Sequence, residues 1–257
     1  MFYTHAIDAI AFQIGPLAIR WYGLAYAVAF LLGYLWLRRL ASTGRVAITL
    51  PQVETLLFAV ILGVVIGGRV GYFLFYHLGE LFQDPFEFFR VWNGGMSFHG
   101  GLIGVLLAVI YCSRKFKVPL LAISDLLVVP GAFGLAMGRI ANFVNGELWG
   151  RPTSGEWGVI FPRADDLPRH PSQLYASFQN LVITVLLVSI FQFRFRNGTV
   201  SFLFLILYGI GRIINEQFWR APLDGYLWGM TKGQFWSMPM LLLGVVGLAW
   251  IYKRKKA

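Results

Sequence analysis

Three arginines stand inside stretches that are otherwise long and apolar: Arg69 in TLLFAVILGVVIGGRVGYFLFY, Arg139 in GAFGLAMGRIANFVNG and Arg212 in SFLFLILYGIGRIINEQF. A cation at the centre of a membrane helix costs roughly 2.5–3.5 kcal/mol on insertion scales, so these residues mark a site that handles something anionic within the bilayer. Further polar groups follow at regular spacing. In GRIANFVNGELWGR, from Gly138 to Arg151, Arg139 and Asn142 are three apart and share a helix face. Asn145 comes at the next such step, and Glu147, Trp149 and Arg151 leave the membrane at its boundary. In WNGGMSFHGG, from Trp92 to Gly101, four glycines surround His99 and allow another helix or a headgroup to approach the backbone closely. A neutral histidine can take up a proton near pH 7, and a guanidinium fork can hold phosphate oxygens in pairs without losing its charge.

The elements that carry these groups are membrane helices. The 257 residues are 57% hydrophobic, 17% aromatic and only 13% charged, with a mean hydropathy of +0.64, which excludes a soluble domain of this size. A spanning helix needs about 20 mostly apolar residues. Seven segments qualify, at about 18–37, 54–77, 96–113, 121–143, 174–193, 200–219 and 236–252, with six or eight spans as the alternatives. The expected fold is therefore all-α, a polytopic integral membrane protein forming a single membrane-embedded catalytic domain over residues 1–257. The two longest hydrophilic connections, about 79–95 and 144–173, are expected to form a cap on the outer face. No cleavable signal is expected, because the N-terminus lacks a basic region and a small-residue cleavage site.

Lysine and arginine collect on one side of a seven-span chain: Arg38, Arg39 and Arg45, then Arg114, Lys115 and Lys117, then Arg194 and Arg196, then Lys253 to Lys256. That side is expected to be cytoplasmic, with the N-terminus outside and the C-terminus inside. Most acids, including Asp84, Glu87, Glu156, Asp165, Asp166 and Asp224, fall on the other side. The net charge of +10 is then an inner-face anchor and calls for no nucleic acid partner. Cys112, the only cysteine, reads as a buried, reduced thiol. The four histidines show no metal-ligand spacing, so neither metal nor other cofactor is expected.

GGMSFHGG, GRIANFVNGELWGR, LPRHPSQLY (Leu167 to Tyr175) and YGIGRIINE (Tyr208 to Glu216) together resemble the motifs of the bacterial phosphatidylglycerol-prolipoprotein diacylglyceryl transferases. The likeness is collinear, covers nearly the whole chain, and includes WYGLAY (Trp21 to Tyr26) and GGRVGYFLFY (Gly67 to Tyr76). It implies an inner-membrane enzyme that moves the diacylglyceryl group of phosphatidylglycerol onto the lipobox cysteine of a lipoprotein precursor and releases glycerol phosphate. The resemblance places the family's essential histidine on His99, its essential arginines on Arg139 and Arg212, and further functional positions on Tyr22, Asn142, Gly150 and Tyr208. With Arg69, Asn145, Glu147 and Glu216, these are the candidate substrate-binding and catalytic residues. In the orientation above, Tyr22, Arg69, His99, Arg139 with Asn142, and Tyr208 with Arg212 fall toward the outer ends of five helices, the depth of an outer-leaflet headgroup. The precursor's signal segment would lie in the bilayer and its cysteine at the outer surface. The segment between Trp149 and Leu167 is short compared with some members of the family, and NEQFWRAP spaces Glu216 and Arg220 unlike the commoner motif, so no role is carried over to Arg220.

Other readings of the same residues stand beside these. Arg212 and Glu216, four apart, fit a salt bridge on one helix face, a role that can coexist with catalysis. Arg69 follows the packing series Gly63, Gly67, Gly71 and equally fits a structural partner for a buried acid or carbonyl. His170, between two prolines, reads as part of a rigid entry to a helix capped by Ser172. An intramembrane serine hydrolase is disfavoured because Ser97 and His99, two apart, point to different faces. An anion channel or transporter is disfavoured because nothing polar continues toward the cytoplasm except Glu54 and Asp125 at helix starts.

Overall fold

Within hydrocarbon a backbone can satisfy its own hydrogen bonds only as a helix or a closed barrel, and the long apolar runs of this chain are helical. The structure, a computed structural model, describes residues 2–15, 17–193, 195–223 and 225–253. Of the charges expected to orient the chain, Arg194, Asp224 and the tail from Arg254 to Lys256 lie outside the described residues.

The chain opens with β1 (Tyr3–Thr4), β2 (Ile10–Ile14) and β3 (Leu17–Arg20), followed by α1 (Trp21–Ser42) and α2 (Leu50–Tyr76). A short α3 (Leu78–Gln83) and two 3-10 turns, Pro85–Phe89 and Val91–Asn93, lead to α4 (Phe98–Phe116) and α5 (Leu120–Val144). Then come β4 (Val159–Ile160), β5 (Pro168–Arg169), α6 (Ser172–Phe191), α7 (Thr199–Phe218), β6 (Tyr226–Leu227), β7 (Met230–Thr231) and α8 (Lys232–Lys253). Six described helices, α1, α2 and α5 to α8, are long and apolar enough to cross a membrane. The third expected span coincides with α4, which has 19 residues and is not among those six. The fold is thus mostly helical, with short strands in the connections that the all-α expectation did not include.

The chain divides into two compact units, Met1–Gly33 with Asp125–Ala257, and Tyr34–Ser124. In the second, α2 and α4 lie backbone against backbone. Gly63 and Gly67 of α2 face Gly100 and Gly104 of α4 so closely that a Cβ at any of them would strike a carbonyl of the opposite helix. Such contact gains dispersion and weak Cα–H donors where apolar side chains gain little over lipid. The Ser97 N–H donates to the Gly68 carbonyl at 2.9 Å, and its hydroxyl caps α4 by accepting from the Gly100 N–H at 3.3 Å.

In the first unit, α7 packs against α6 and α8. Ser177 of α6 donates to the Ala136 carbonyl of α5 at 3.0 Å. The N-terminus of α7 is held by Asp125, whose carboxylate accepts from the N–H groups of Gly198 (2.6 Å) and Ser201 (2.7 Å) and from the Ser201 hydroxyl (2.6 Å). An acid at a helix start satisfies free N–H donors and the helix dipole together, so this polar residue inside an apolar run is structural.

Candidate active site

Arg139 and Asn142 lie one turn apart near the end of α5, as their spacing requires. Arg139 Nη1 donates to Asn142 Oδ1 at 3.2 Å. The Asn142 Nδ2 group donates to Glu147 Oε1 at 2.7 Å and to the Tyr22 hydroxyl at 3.2 Å. Asn142, 4% exposed, is therefore the hub of a chain running from α1 through α5 to the following loop. Among the described residues Arg139 has no carboxylate within ion-pair distance. Its neighbour is a neutral amide, which orients the guanidinium without cancelling its charge.

The loop that brings Glu147 back to Asn142 turns through two left-handed positions, Gly146 at φ 62° and Leu148 at φ 55°. Left-handed backbone is ordinary for glycine and strained for leucine, so something must hold it. The first turn of α6 does so: Ser172 Oγ donates to the Leu148 carbonyl at 3.4 Å and Gln173 Nε2 to the Glu147 carbonyl at 2.7 Å. Ser172 is the first residue of α6 and binds across to this loop rather than capping its own helix, which corrects the capping expectation; Pro171 occupies the cap position. The Asn145 side-chain oxygen has no partner among the described residues, and its main-chain carbonyl accepts from Arg163 Nη1 at 3.1 Å.

Gly150 sits at a backbone crossing. Its N–H donates to the His170 carbonyl at 3.0 Å, its carbonyl accepts from Arg169 Nη1 at 3.0 Å, and it bridges to Arg220. A Cβ there would lie 2.7 Å from the Trp219 carbonyl oxygen and closer still to that of His170, so only glycine fits.

A second cluster is built on α7. Tyr208, one turn before Arg212, sets its ring at a tilt against Phe204, centroids 5.6 Å apart. Arg212 Nη2 lies 2.7 Å from Glu216 Oε1, so the ion pair read from their spacing is formed. The same oxygen is 3.3 Å from Arg220 Nε, so two guanidiniums share one buried carboxylate. Arg151 donates to the carbonyls of Glu216 and Arg220, each at 3.1 Å, and closes the end of the helix. Gly233 at the start of α8 leaves room for Glu216, since a Cβ there would collide with the carboxylate. Arg220 and Arg151 went unassigned in the sequence; the signal available for Arg220 was its i, i+4 relation to Glu216.

The other unit holds His99 and Arg69. His99 is exposed in the first turn of α4, against the Phe98 ring at 5.7 Å, with no hydrogen-bond partner among the described residues. Arg69, 2% exposed, donates to four backbone oxygens. Its Nε donates to Phe88 O at 2.9 Å, Nη1 to Gly94 O at 2.5 Å and Gly95 O at 3.1 Å, and Nη2 to Glu87 O. Of the two readings of Arg69, the carbonyl partner is the one formed: it ties the 85–95 connection to α2.

Outside the helices, Arg169 grips Asp165 with Nε at 2.9 Å and Nη2 at 2.5 Å and holds that carboxyl below its usual range. Burial pushes the His170 imidazole below its ordinary value, because desolvation disfavours its charged form.

Residues 9–250 match the family model described as prolipoprotein diacylglyceryl transferase. Relatives named phosphatidylglycerol--prolipoprotein diacylglyceryl transferase occur in Nitrosospira multiformis, 44% identical over 96% of this chain and 87% of the relative, and in Photobacterium profundum, 45% identical over 96% and 94%. The Proteus mirabilis protein of the same name is 43% identical over 98% and 94%.

Proposed function

The chain belongs to the prolipoprotein diacylglyceryl transferase family, and from that premise we propose that it transfers the diacylglyceryl group of phosphatidylglycerol to the lipobox cysteine of lipoprotein precursors. The thiolate sulfur attacks the glycerol carbon that carries the phosphate, a C–S bond forms, and the C–O bond breaks so that glycerol phosphate leaves with the electron pair. The thiol proton must go to a base, and the departing anion must meet fixed positive charge.

Arg139 and Arg212 are assigned the phosphate oxygens, and His99, exposed and unpartnered among the described residues, the thiol proton. The observation that carries this reading is the arrangement at Asn142, which holds Glu147 to itself and leaves Arg139 beside a neutral amide. Tyr22 and Glu147 fix the Asn142 carboxamide. Tyr208, Glu216 and Gly150 support the Arg212 side, while Asn145 and Arg69 shape the connections. The chemistry is that of an inner-membrane enzyme of seven spans, α4 included, with the N-terminus outside and the site toward the outer leaflet. The connections 79–95 and 144–173 form its periplasmic cap. Both substrates, a lipid and a precursor anchored by its signal segment, enter sideways between helices.

The test is incubation of purified protein with phosphatidylglycerol and a lipobox peptide, followed by mass spectrometry for a diacylglyceryl group on the cysteine. No added mass with a folded protein would refute the assignment.

A further inference from the structure

The motif LPRHPSQLY leads into α6, yet none of the roles above uses its glutamine. Gln173 is 2% exposed, and its Nε2 group donates to the Glu147 main-chain oxygen at 2.7 Å. A carbonyl acceptor fixes which end of the amide faces the loop. The other end, Oε1, is buried with no hydrogen-bond partner among the described residues. A residue kept for stability alone would not leave an amide oxygen unpartnered in the interior, where an apolar side chain of similar size packs as well or better. The bond falls on the residue between the left-handed Gly146 and Leu148, the point at which the loop must be held for the Glu147 carboxylate to reach Asn142 Nδ2.

We infer that Gln173 is a positioning residue for the phosphate site: by fixing the Glu147 main chain it keeps that carboxylate on Asn142 and away from Arg139, whose charge stays available to the lipid phosphate. This rests on the reading of Arg139 and Asn142 as a phosphate-binding pair. Released from α6, the loop can relax at its strained residue, and a mobile Glu147 competes with the phosphate for Arg139. The consequence is weakened lipid binding with the protein still folded.

The experiment compares Gln173→Leu, Glu147→Gln and the double variant in the purified enzyme with phosphatidylglycerol micelles and a lipobox peptide, recording kcat, KM for the lipid and Tm. Gln173→Leu is expected to keep its Tm within a few degrees and raise KM for phosphatidylglycerol about tenfold, with a smaller change in kcat. Because a neutral amide at 147 no longer competes for Arg139, adding Gln173→Leu to Glu147→Gln should raise KM little further. Unchanged KM in a folded Gln173→Leu protein, or losses that multiply in the double variant, would overturn the inference. Should Gln173→Leu not fold, Gln173→Met, straight-chained like glutamine, carries the same test, and failure of both to fold would make Gln173 a stability residue and overturn it too. Full activity of Arg139→Gln would instead refute the phosphate site itself, whatever Gln173 does.

Discussion

Arg212 is the residue at which two roles, ion pair and phosphate ligand, can be pulled apart. Glu216 is 3% exposed and its Oε1 atom serves both Arg212 (2.7 Å) and Arg220 (3.3 Å). Removing one partner of a buried pair costs about 3–5 kcal/mol. Arg212 is 17% exposed and partly screened, so Glu216→Gln should lie near the lower end, about 3 kcal/mol. Arg212→Lys is different. A lysine four residues before Glu216 still reaches it as a point charge, so stability should fall by about 1 kcal/mol or less. What lysine lacks is the fork. Losing one of two charged hydrogen bonds to a phosphate removes about 1.5–3 kcal/mol of binding. At about 1.36 kcal/mol per decade this is roughly a 10- to 150-fold loss of kcat/KM. Thermal unfolding in detergent and transfer to a lipobox peptide read the two quantities separately. Glu216→Gln should shift Tm clearly, and Arg212→Lys should shift rate with little change in Tm. If Arg212→Lys transfers lipid at the full rate while Glu216→Gln unfolds the protein, Arg212 is a structural ion-pair partner and its assignment to the phosphate is wrong.

Other outcomes follow from single geometries. His99→Gln should reduce thioether formation about a hundred- to ten-thousandfold in a stably inserted protein, the usual worth of a general base, and near-normal transfer would remove His99 from the chemistry. Gly104→Ala should lower Tm, because its Cβ would land on the Gly63 carbonyl, whereas Gly101→Ala, whose Cβ would meet the Val64 carbonyl oxygen at an ordinary 3.6 Å, should leave it unchanged. The Arg169 grip holds Asp165 low, so its contribution to stability is present above about pH 4 and is lost as pH falls through the lowered value. The Tm gap between the native protein and Asp165→Asn, measured from pH 7 downward, should therefore close in acid, and a gap that widens would contradict the pairing. In a Cys112→Ser background, Glu156→Cys should label with an impermeant thiol reagent in intact cells and Lys115→Cys should not. The reverse would put Arg139 in the inner leaflet, out of reach of an outward-facing acceptor cysteine.

What could be read from the sequence was what depends on local periodicity. The seven apolar runs became helices whose ends moved by a few residues, most at α1, expected to end near 37 and observed to end at Ser42. The Arg139 and Asn142 face and the Arg212 to Glu216 pair are i, i+3 and i, i+4 relations, which a helix imposes without tertiary knowledge. Partners far apart in the chain were not legible. Nothing local says that Gln173 reaches Glu147, that Arg69 collects carbonyls from the 85–95 connection, or that Asp125 caps α7 some 73 residues later. Two-residue strands such as β4 and β5 leave no alternation to detect, and Ser172 looked like a cap because serine before an apolar run usually is one.

The three intramembrane arginines solve the same electrostatic problem in different ways, and the differences suggest which can take an anion. Arg69 has spent its donors on four fixed backbone oxygens, so a phosphate would have to displace bonds that also hold a connection in place. Arg212 shares a carboxylate with Arg220, and its own Nε and Nη1 have no partner among the described residues. Arg139 has an amide for a neighbour and keeps its whole charge. Two unit charges 4 Å apart interact by about 4 kcal/mol at an effective dielectric of 20, whereas a carboxylate already at that distance would return most of it. Placing Asn142 between Arg139 and Glu147 thus does two things at once. It binds the acid that the loop brings in, and it points the guanidinium without neutralising it, which is the condition a departing phosphate ester imposes on its site.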